Sequence, residues 1–293
     1  MKNPKLSVCM ITYNQAEYVA KALDSVLMQE TGFDFELVIG DDCSRDKTAD
    51  IIREYAGKYP HLIRAFIHGQ NLGPPELPAK NNFVFTFNAC NGDYIALLEG
   101  DDFWTDPEKL QLQVDFLEQN PEYTMVAHSA NILYQENGRE FTKNTGHHRE
   151  KTIGLKTVLA GGSQGATCSL VLRNHLFDHF PQWFYQACNS DLPLQVLWAS
   201  KGWMMFLPRT MATYRRHARG ISVMQDQGSA VIHRFGSFIR TYEQIDAYFG
   251  YQYHQEIEQH KHKYLYPHLL QGYLNLIADT ARQAALYSHS LLK

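Results

Sequence analysis

The first half of the chain alternates between short apolar runs and segments in which apolar residues recur every three or four positions. The apolar runs have five or six residues, as buried strands do, and lie at 6–11, 35–39, 62–67 and 94–98. The helical spacing occupies 16–29, 48–58, 79–89 and 106–119, where Asp106 and Pro107 are typical of a helix start. Strands that alternate with helices usually form a parallel sheet covered on both faces. This half therefore predicts an α/β fold with a doubly wound, mostly parallel sheet.

A different pattern follows Tyr123. Short β-like segments separated by glycine-rich loops predict a smaller β region, at 125–127, 131–134, 169–172 and 204–207. A helix is expected over 191–200. From about Ser229 the spacing is helical again, and Pro267 is expected to break the long segment. We therefore expect an α/β domain over 1–220, with halves at 1–122 and 123–220, followed by a C-terminal helical extension over 221–293.

The composition is that of an ordinary globular protein, and it serves mainly to exclude other classes of protein. Of the 293 residues, 44% are apolar and 20% are charged, and the net charge is −4. Proteins that bind nucleic acid through its phosphates usually have a basic balance, so that function is disfavoured. The chain has no apolar run of the roughly 20 residues that span a bilayer. Its five cysteines form no C-x-x-C pair, so we expect free thiols and a cytoplasmic protein.

Polar side chains follow each of the four predicted strands, at the point where the strand ends. The clusters are Thr12-Tyr13-Asn14, Asp41-Asp42-Cys43-Ser44, His68 with Asn71-Leu72-Gly73, and Glu99-Gly100-Asp101-Asp102. In open α/β sheets, ligands bind in the crevice at the carboxyl ends of the strands. Turns and helix caps would explain any one cluster, but four clusters at one edge predict a single binding site.

The acidic cluster at residues 99–102 predicts a cation site. The chain contains neither the G-x-G-x-x-G fingerprint nor the G-x-x-x-x-G-K-[ST] loop, so a phosphate ligand needs another counter-charge. Side chains alternate along a strand, so Glu99 and Asp101 are expected on one side and Asp102 on the other. Carboxylates suit Mg²⁺ or Mn²⁺, which one or two protein carboxylates and ligand phosphates commonly hold. A solvated acidic turn that caps the next helix is the alternative.

Further motifs occur in a characteristic order. They are Val38-Ile39-Gly40 before Asp41, Lys80-Asn81, Gly92-Asp93-Tyr94-Ile95, Ser190-Asp191 and Tyr214-Arg215-Arg216-His217. Together with the polar clusters, this order and spacing resembles the inverting nucleotide-sugar glycosyltransferases of family 2, over roughly residues 5–220. The resemblance implies the GT-A fold, with a nucleotide-sugar-binding half at 1–122 and an acceptor-binding half at 123–220.

The same resemblance implies an activity and its residues. We expect a UDP-sugar donor, a saccharide or lipid-linked saccharide acceptor, and Mn²⁺ or Mg²⁺ as cofactor. The positions implied for nucleotide binding are Thr12, Tyr13, Asn14, Glu17, Asp41, Asp42, Asn71, Lys80 and Asp101. Those implied for the metal are Asp101, Asp102 and His217. Asp191 matches the catalytic base, which takes the proton of an acceptor hydroxyl as that oxygen attacks the anomeric carbon.

Two aromatic features complete the expectations. Trp104 follows the acidic cluster and is expected on the acceptor side, because aromatic faces can stack on sugar rings. The stretch 261–266 combines basic and aromatic residues, which can rest on anionic lipid, and a helix packed on the catalytic unit explains it equally well. We therefore expect a cytoplasmic enzyme of bacterial surface polysaccharide or glycan synthesis, with peripheral contact at the inner face of the membrane as a further hypothesis.

Two other functions stay open. A nucleotidyltransferase would use a similar sheet, although it usually has a loop rich in Gly, Arg and Lys after the first strand. A binding protein that kept the fold and lost catalysis would retain Asp42 and show no turnover. The sequence does not identify the sugar, the linkage or the oligomeric state.

Overall fold

A computed structural model describes residues 4–73, 79–136, 139–145, 149–218, 220 and 230–290. The first half has the predicted alternation of strands and helices. Its elements are β1 (Leu6–Thr12), α1 (Val19–Leu27), β2 (Phe35–Asp41), α2 (Thr48–Lys58), β3 (Ile63–Ile67), α3 (Lys80–Asn88) and β4 (Tyr94–Glu99). Each lies within a few residues of its predicted position, so the periodicity identified the element types correctly.

The second half contributes longer strands than the sequence indicated. Its elements are β5 (Phe103–Trp104), α4 (Lys109–Gln119), β6 (Tyr123–Glu136), β7 (Arg139–Thr145), β8 (Lys151–Ile153), α5 (Leu155–Gly161), a 3₁₀ turn (Thr167–Ser169), β9 (Val171–Arg173), α6 (Gln182–Gln186), α7 (Asp191–Ala199) and β10 (Trp203–His217). The separate segments predicted at 125–127 and 131–134 form one strand, and the segment at 204–207 continues to His217.

The apparent interruption in these two strands is a β-bulge. Leu207 of β10 pairs with His128, and Thr210 pairs with Ser129, so that Pro208 and Arg209 are extra residues on the β10 side. His128 and Ser129 are both buried. Buried polar residues of β6 opposite the bulge break the hydrophobic pattern without ending the strand. The prediction of short separate segments was therefore wrong.

Helix α4 starts later than the sequence suggested. The helix begins at Lys109, and a turn occupies residues 107–108. The Asp106 carboxylate accepts a hydrogen bond from the Glu108 backbone N–H at 3.1 Å. Asp106 therefore caps that turn rather than a helix beginning at Pro107.

In the described part of the chain, the main sheet has the order β3-β2-β1-β4-β9-β6-β10-β5. Strands β1 to β4 are mutually parallel, β9 is antiparallel to both of its neighbours, and β6 and β10 are parallel to each other. Six of the eight strands on this path thus run in one direction. The strand order reverses between β1 and β4, so their carboxyl ends form the expected ligand crevice.

Alternate residues of the central strands feed two hydrophobic cores, one on each face of the sheet. Val8 and Met10 pack in the core that α1, α2 and α4 cover, whereas Cys9 packs in the core that contains residues of α3 and α7. This is the period of two that a strand buried on both faces requires.

The C-terminal region is helical, as expected, and packs on the catalytic unit. It contains α8 (Ala230–Tyr248), α9 (His254–His260), a π-helical turn (Lys261–Leu265) and α10 (Tyr266–Ser290). Tyr242, Ile257 and Leu265 belong to the same core as Leu97 of β4. Among the described residues, no helix is both long enough and apolar enough to cross a bilayer.

One expectation about this region needs correction. Pro267 does not break the helical segment, because the helical backbone continues from α9 through the π-helical turn into α10, and that turn lies directly before this proline. The break lies instead at residues 249–253, around Gly250 with φ +59°.

The basic and aromatic stretch at 261–266 has residues of both kinds. Lys261 is buried and pairs with Glu258 at 2.7 Å, as helix packing requires, whereas residues 262–264 are exposed. Lipid contact by this stretch therefore stays a prediction.

Candidate active site

The loops after β1 and β2 are held together by one buried carboxylate. Asp41 is fully buried, and its Oδ2 accepts hydrogen bonds from the hydroxyls of Thr12 at 2.8 Å and Ser44 at 2.6 Å. Its Oδ1 accepts the Ser44 backbone N–H at 3.0 Å. Both oxygens of Asp41 therefore have protein donors, and Asp41 and Thr12 fix the shape of this edge.

Asp42 links the same edge to the loop after β3. Its Oδ1 accepts the Leu72 backbone N–H at 2.7 Å, and its carbonyl oxygen accepts a long hydrogen bond from the Asn71 amide at 3.4 Å. Asn71 is itself exposed, as are Tyr13 and Glu17. The predicted nucleotide-binding residues after β1, β2 and β3 thus converge, with buried carboxylates at the base and exposed side chains at the rim.

Two residues of these loops have left-handed backbone conformations although neither is glycine. Asn14 has φ +51° and Cys43 has φ +64°. The Asn14 N–H donates to Ser44 Oγ at 2.8 Å, and Asn14 Oδ1 accepts the Arg45 N–H at 2.8 Å. Such conformations persist only where the surroundings impose them, and they cluster at ligand sites.

Three carboxylates from different elements face one another at the end of β4. Burial raises the pKa of Glu99 to about 8, and the negative charges of Asp101 and Asp191 add to the effect. The close approach of the β4 and β1 ends requires Gly100, where a Cβ would lie 2.6 Å from the Thr12 side chain. The carboxylates of Glu99, Asp101 and Asp191 are therefore close enough for their charges to interact.

The second half of the chain supplies a partner for Asp101. His217 Nε2 lies 3.0 Å from Asp101 Oδ2, and the His217 ring packs against Tyr18 at 4.7 Å between centroids. Arg215 braces the same loop, because its Nε–H donates to the Asp101 carbonyl oxygen at 2.9 Å. The Y-R-x-H motif at the end of β10 thus reaches the acidic cluster, as the resemblance implied.

Asp102 lies apart from this pair. It is buried, and its Oδ1 accepts the Arg215 backbone N–H at 2.8 Å. Burial raises the pKa of Asp102 well above its ordinary value, and the charges of Asp101 and Glu99 act in the same direction. Oδ1 of Asp102 thus faces a backbone amide inside the protein, while its Oδ2 has no hydrogen-bond partner in the described part of the chain. This geometry favours a role in holding β10, and the metal role of Asp102 stays a prediction. The strand alternation expected from Glu99 to Asp102 is absent, because residues 100–101 form a turn in which the Asp102 N–H donates to the Glu99 carbonyl oxygen at 3.0 Å.

Trp104 also lies inside the protein. Its side chain is 2% exposed, its Nε1–H donates to the Cys168 carbonyl oxygen at 2.9 Å, and Lys109 Nζ lies 4.2 Å from its ring centroid. A ring enclosed in this way cannot stack on a sugar. The expectation that Trp104 lies on the acceptor side was wrong, because a local aromatic signal does not distinguish a core residue from a rim residue.

The donor set at Asp101 fits a divalent cation that also binds ligand phosphates. Within the described residues, no three His, Cys, Asp or Glu side chains form a ready metal centre. Asp101 and His217, however, place an oxygen and a nitrogen ligand 3.0 Å apart. Mn²⁺ accepts both atom types, and Mg²⁺ or Mn²⁺ in phosphate sites needs only one or two protein ligands.

Lys80 joins the two halves of the site. Its ammonium donates to the Asn189 carbonyl oxygen and lies 4.6 Å from the Phe184 ring centroid. Burial lowers the pKa of Lys80 to about 8, against the opposing effects of Cys188 and Asp191. Lys80 therefore stands near Asp191 as a cation that titrates close to physiological pH.

Asp191 is the first residue of α7 and stands between the acidic cluster and a cavity. Its Oδ2 accepts a hydrogen bond from Ser163 Oγ at 3.1 Å. The cavity beyond it includes Tyr242 and His260 from the C-terminal helices. The sequence prediction missed Ser163, Tyr242 and His260. A signal existed only for Ser163, in the glycine-rich loop, because the other two lie beyond the motifs.

The strand order is that of the GT-A fold, and comparisons with known proteins agree. A sequence profile described as Glycosyl transferase family 2 matches residues 7–177. The chain therefore belongs to glycosyltransferase family 2. The match favours glycosyl transfer over the nucleotidyl transfer that the sequence had left open.

Individual relatives and structures support the same fold. The chain is 37% identical over 216 residues to the uncharacterized protein Rv1520 of Mycobacterium tuberculosis, covering 74% of this chain and 60% of that one. It thus spans less than two thirds of that relative. Two solved structures have a TM-score of 0.61. S. aureus TarS with UDP-GlcNAc is 18% identical, covering 83% of this chain and 66% of that chain. The Pyrobaculum calidifontis mannosyltransferase PcManGT with GDP-Man and Mn²⁺ is 17% identical, covering 100% and 81%.

Proposed function

We propose that the protein is an inverting glycosyltransferase that moves a sugar from a UDP-sugar to the hydroxyl of a saccharide acceptor. One observation carries the proposal: the Asp101–His217 pair and Asp191 meet at the carboxyl ends of β1 and β4. This arrangement supports a cation and diphosphate site beside a carboxylate that can act as a base, which is what direct displacement of a nucleoside diphosphate requires.

The loops after β1, β2 and β3 would hold the nucleoside. Thr12, Tyr13, Asn14, Glu17, Asp41, Asp42 and Asn71 line or shape this part of the site. A carboxylate such as Asp42 can accept the N3–H of uracil in a charge-assisted hydrogen bond. TarS, of similar fold, was solved with UDP-GlcNAc, which supports UDP, whereas PcManGT was solved with GDP-Man.

Asp101 and His217 would hold Mn²⁺ or Mg²⁺ against the diphosphate, and Lys80 would add a second positive charge. When bound, the cation stabilises negative charge on the leaving diphosphate. Arg215 fixes the Asp101 backbone and the β10 end that carries His217, so the two ligands are positioned before the donor arrives.

Asp191 would be the catalytic base. The acceptor oxygen forms a bond to the anomeric carbon while the bond to the diphosphate breaks and its electron pair leaves with the diphosphate. The acceptor proton passes to the Asp191 carboxylate. Because attack is opposite to the leaving group, the configuration at the anomeric carbon is inverted.

A role in bacterial surface glycan synthesis follows as a further part of the proposal. Relatives that match shorter stretches include the putative glycosyltransferase EpsE of Bacillus subtilis, 35% identical over 135 residues, and the abequosyltransferase RfbV of Salmonella typhimurium, 34% identical over 98 residues. We therefore expect a saccharide or lipid-linked saccharide acceptor and a cytoplasmic enzyme.

Peripheral contact with the inner membrane face is the least direct part of the proposal. Leu270, Leu274 and Ile277 of α10 are exposed, and an apolar helix face of this kind can rest on lipid. Flotation with anionic liposomes at low salt would test it: co-migration of the protein is expected, and a protein left at the bottom of the gradient would contradict lipid contact.

A thermal-shift screen followed by turnover would test the central proposal. UDP-, GDP- and dTDP-sugars would each be added with Mn²⁺ or Mg²⁺. A donor at a hundredfold excess over its Kd should stabilise the fold by about 2.7 kcal/mol. Stabilisation by GDP-sugars alone would overturn the UDP assignment. UDP binding without UDP release on any acceptor would favour the inactive binding protein instead.

A further inference from the structure

A cavity of approximately 310 Å³ lies on the side of Asp191 that faces the C-terminal helices. One wall comes from the acceptor-binding half, with Ser163, Asp191 and Leu192, and the other comes from α8 and α9, with Phe238, Tyr242 and His260. Asp191 therefore contributes both to the acidic cluster and to this cavity. A molecule in the cavity would therefore lie against the Asp191 side chain.

The Tyr242 hydroxyl is the most informative group in the cavity wall. The Tyr242 side chain is fully buried, yet its hydroxyl has no hydrogen-bond partner within the described part of the chain. Burial and then the Asp191 charge raise the pKa of this phenol, which shows how close the two groups are. A buried hydroxyl of this kind is normally satisfied, so its position at a cavity indicates a ligand that completes it.

His260 offers a second polar atom beside it. The ring stacks on Tyr242 with 4.7 Å between centroids, and its Nδ1–H donates to the Ala160 carbonyl oxygen at 3.2 Å. That hydrogen bond leaves Nε2 as an acceptor in the neutral ring. Burial lowers the pKa of His260 and so favours the neutral form.

Gly162 packs directly against both of these groups. Its backbone has φ +79°, and a Cβ there would lie 3.4 Å from His260 Cε1 and 4.0 Å from the Tyr242 hydroxyl. Any larger residue would therefore extend into the space in front of both groups, in a conformation that favours glycine.

The rest of the lining combines apolar side chains, from Phe235, Phe238, Leu192 and Leu265, with the polar residues Asn189 and Arg234. A pyranose ring has the matching character, since its C–H faces pack on aromatic rings and its edge carries hydroxyls. Small-molecule sites are about 300–1,000 Å³, so this cavity is at the lower end and suits one sugar unit.

We propose that this cavity is the acceptor site and binds one pyranose ring, with Tyr242 and His260 of the C-terminal helices hydrogen-bonding its hydroxyls while Asp191 receives the hydroxyl that reacts. This inference rests on the proposed glycosyl transfer. It assigns acceptor selection to α8 and α9, which lie outside the residues 7–177 that the family profile matches.

The test uses the full chain and the isosteric variant Tyr242→Phe, with Tyr248→Phe as the matched control, because Tyr248 lies on the same helix and is exposed. The probes are methyl pyranosides of glucose, galactose, mannose, rhamnose and the two N-acetylhexosamines. Acceptor KM comes from UDP release, and direct binding from saturation-transfer NMR. In Tyr242→Phe, acceptor KM should rise about 3- to 10-fold, the effect of one hydrogen bond. UDP affinity should stay unchanged, and Tyr248→Phe should match the parent protein.

The outcomes separate this inference from the proposed function. Binding of UDP with no pyranoside bound, or an unchanged acceptor KM in Tyr242→Phe, would overturn the cavity assignment and leave the donor site standing. A lower Tm with an unchanged acceptor KM would show that Tyr242 is structural. If neither UDP nor another nucleotide bound, the proposed function itself would fail. Phe238→Ala is a second variant, for which the same rise in acceptor KM is expected because it removes an aromatic face of the cavity.

Discussion

Two buried groups on either side of Asp191, the Asp41 carboxylate and the Tyr242 hydroxyl, are satisfied in opposite ways. On the donor side, both oxygens of Asp41 have protein donors, and Asp42 accepts a backbone N–H. On the cavity side, the buried Tyr242 hydroxyl has no partner in the described part of the chain, as is also true of Gln15 Oε1 and His217 Nδ1 near the donor edge. The carboxylates that shape the donor loops are therefore positioned by the protein itself, whereas the cavity retains hydrogen-bonding capacity for a ligand.

The difference follows from how each side is built. The donor edge is formed by consecutive loops of one parallel sheet, so residues near in sequence can fix one another. The cavity is formed by α5–α7 loops against helices α8 and α9, which are far apart in sequence. Substitutions on the two sides should consequently separate donor binding, turnover and acceptor binding.

Replacement of Asp191, which lies between the donor side and the cavity, should have the largest effect on activity. Asp191→Asn keeps the shape of the side chain and removes its ability to take a proton, so kcat should fall about 10²- to 10⁴-fold. UDP affinity, measured by calorimetry, should be unchanged, because Asp191 does not belong to the donor loops. Asp178→Asn, an exposed carboxylate in the same half, is the control and should retain full activity. A kcat within threefold of the parent would place the base elsewhere.

Replacement of Asp101, the proposed cation ligand, should have the second-largest effect on activity. Asp101→Asn should lower kcat/KM about 100-fold or more and abolish the effect of Mn²⁺ on UDP affinity, because a bound metal contributes several kcal/mol to charge stabilisation. Asp102→Asn is the matched control. The amide oxygen can still accept the Arg215 N–H, so cation dependence should persist. If Asp102→Asn lost cation dependence and Asp101→Asn kept it, the roles of the two residues would be reversed.

The contrast also explains how much the sequence could predict. Four strands and the donor loops were predictable, because short apolar runs and the polar motifs at their ends are local signals, as in β1 with Thr12 at its end. The Asp101–His217 pair was anticipated only through the family resemblance. Tyr242 and His260 were not anticipated, because their proximity to Asp191 arises from tertiary packing of a region without a motif.

Where the prediction failed, burial was the missing information. A Trp beside an acidic motif looks functional, yet Trp104 points into the protein, and the neighbouring Asp102 is buried as well. The same local pattern fits a core residue and a site residue, and only the position of β10 and the 3₁₀ turn decides between them.

Lys80, which lies near both the donor loops and Asp191, should have a moderate and pH-dependent effect on UDP affinity. With a pKa of about 8, Lys80 is mostly charged at pH 7 and mostly neutral at pH 9, so UDP affinity should weaken several-fold as the pH rises. Lys80→Arg stays charged over this range and should flatten the profile. Glu99, with a pKa of about 8, gains negative charge in the same window. A profile that Lys80→Arg leaves unchanged would therefore assign the dependence to Glu99, and not to Lys80.

The smallest effect on activity, and the clearest on stability, should come from Trp104→Phe. The change removes the Nε1–H hydrogen bond to Cys168 and part of a buried ring under Lys109, so the free energy of unfolding should fall by about 1–3 kcal/mol. UDP affinity and acceptor KM should stay within twofold of the parent protein, since the ring touches neither side of the site. Thermal unfolding and steady-state kinetics measure both, and Trp203→Phe, at an exposed position, controls for loss of an indole. A raised acceptor KM at an unchanged Tm would show that Trp104 contacts the acceptor. It would then be wrong to treat Trp104 as a core residue separate from the acceptor cavity.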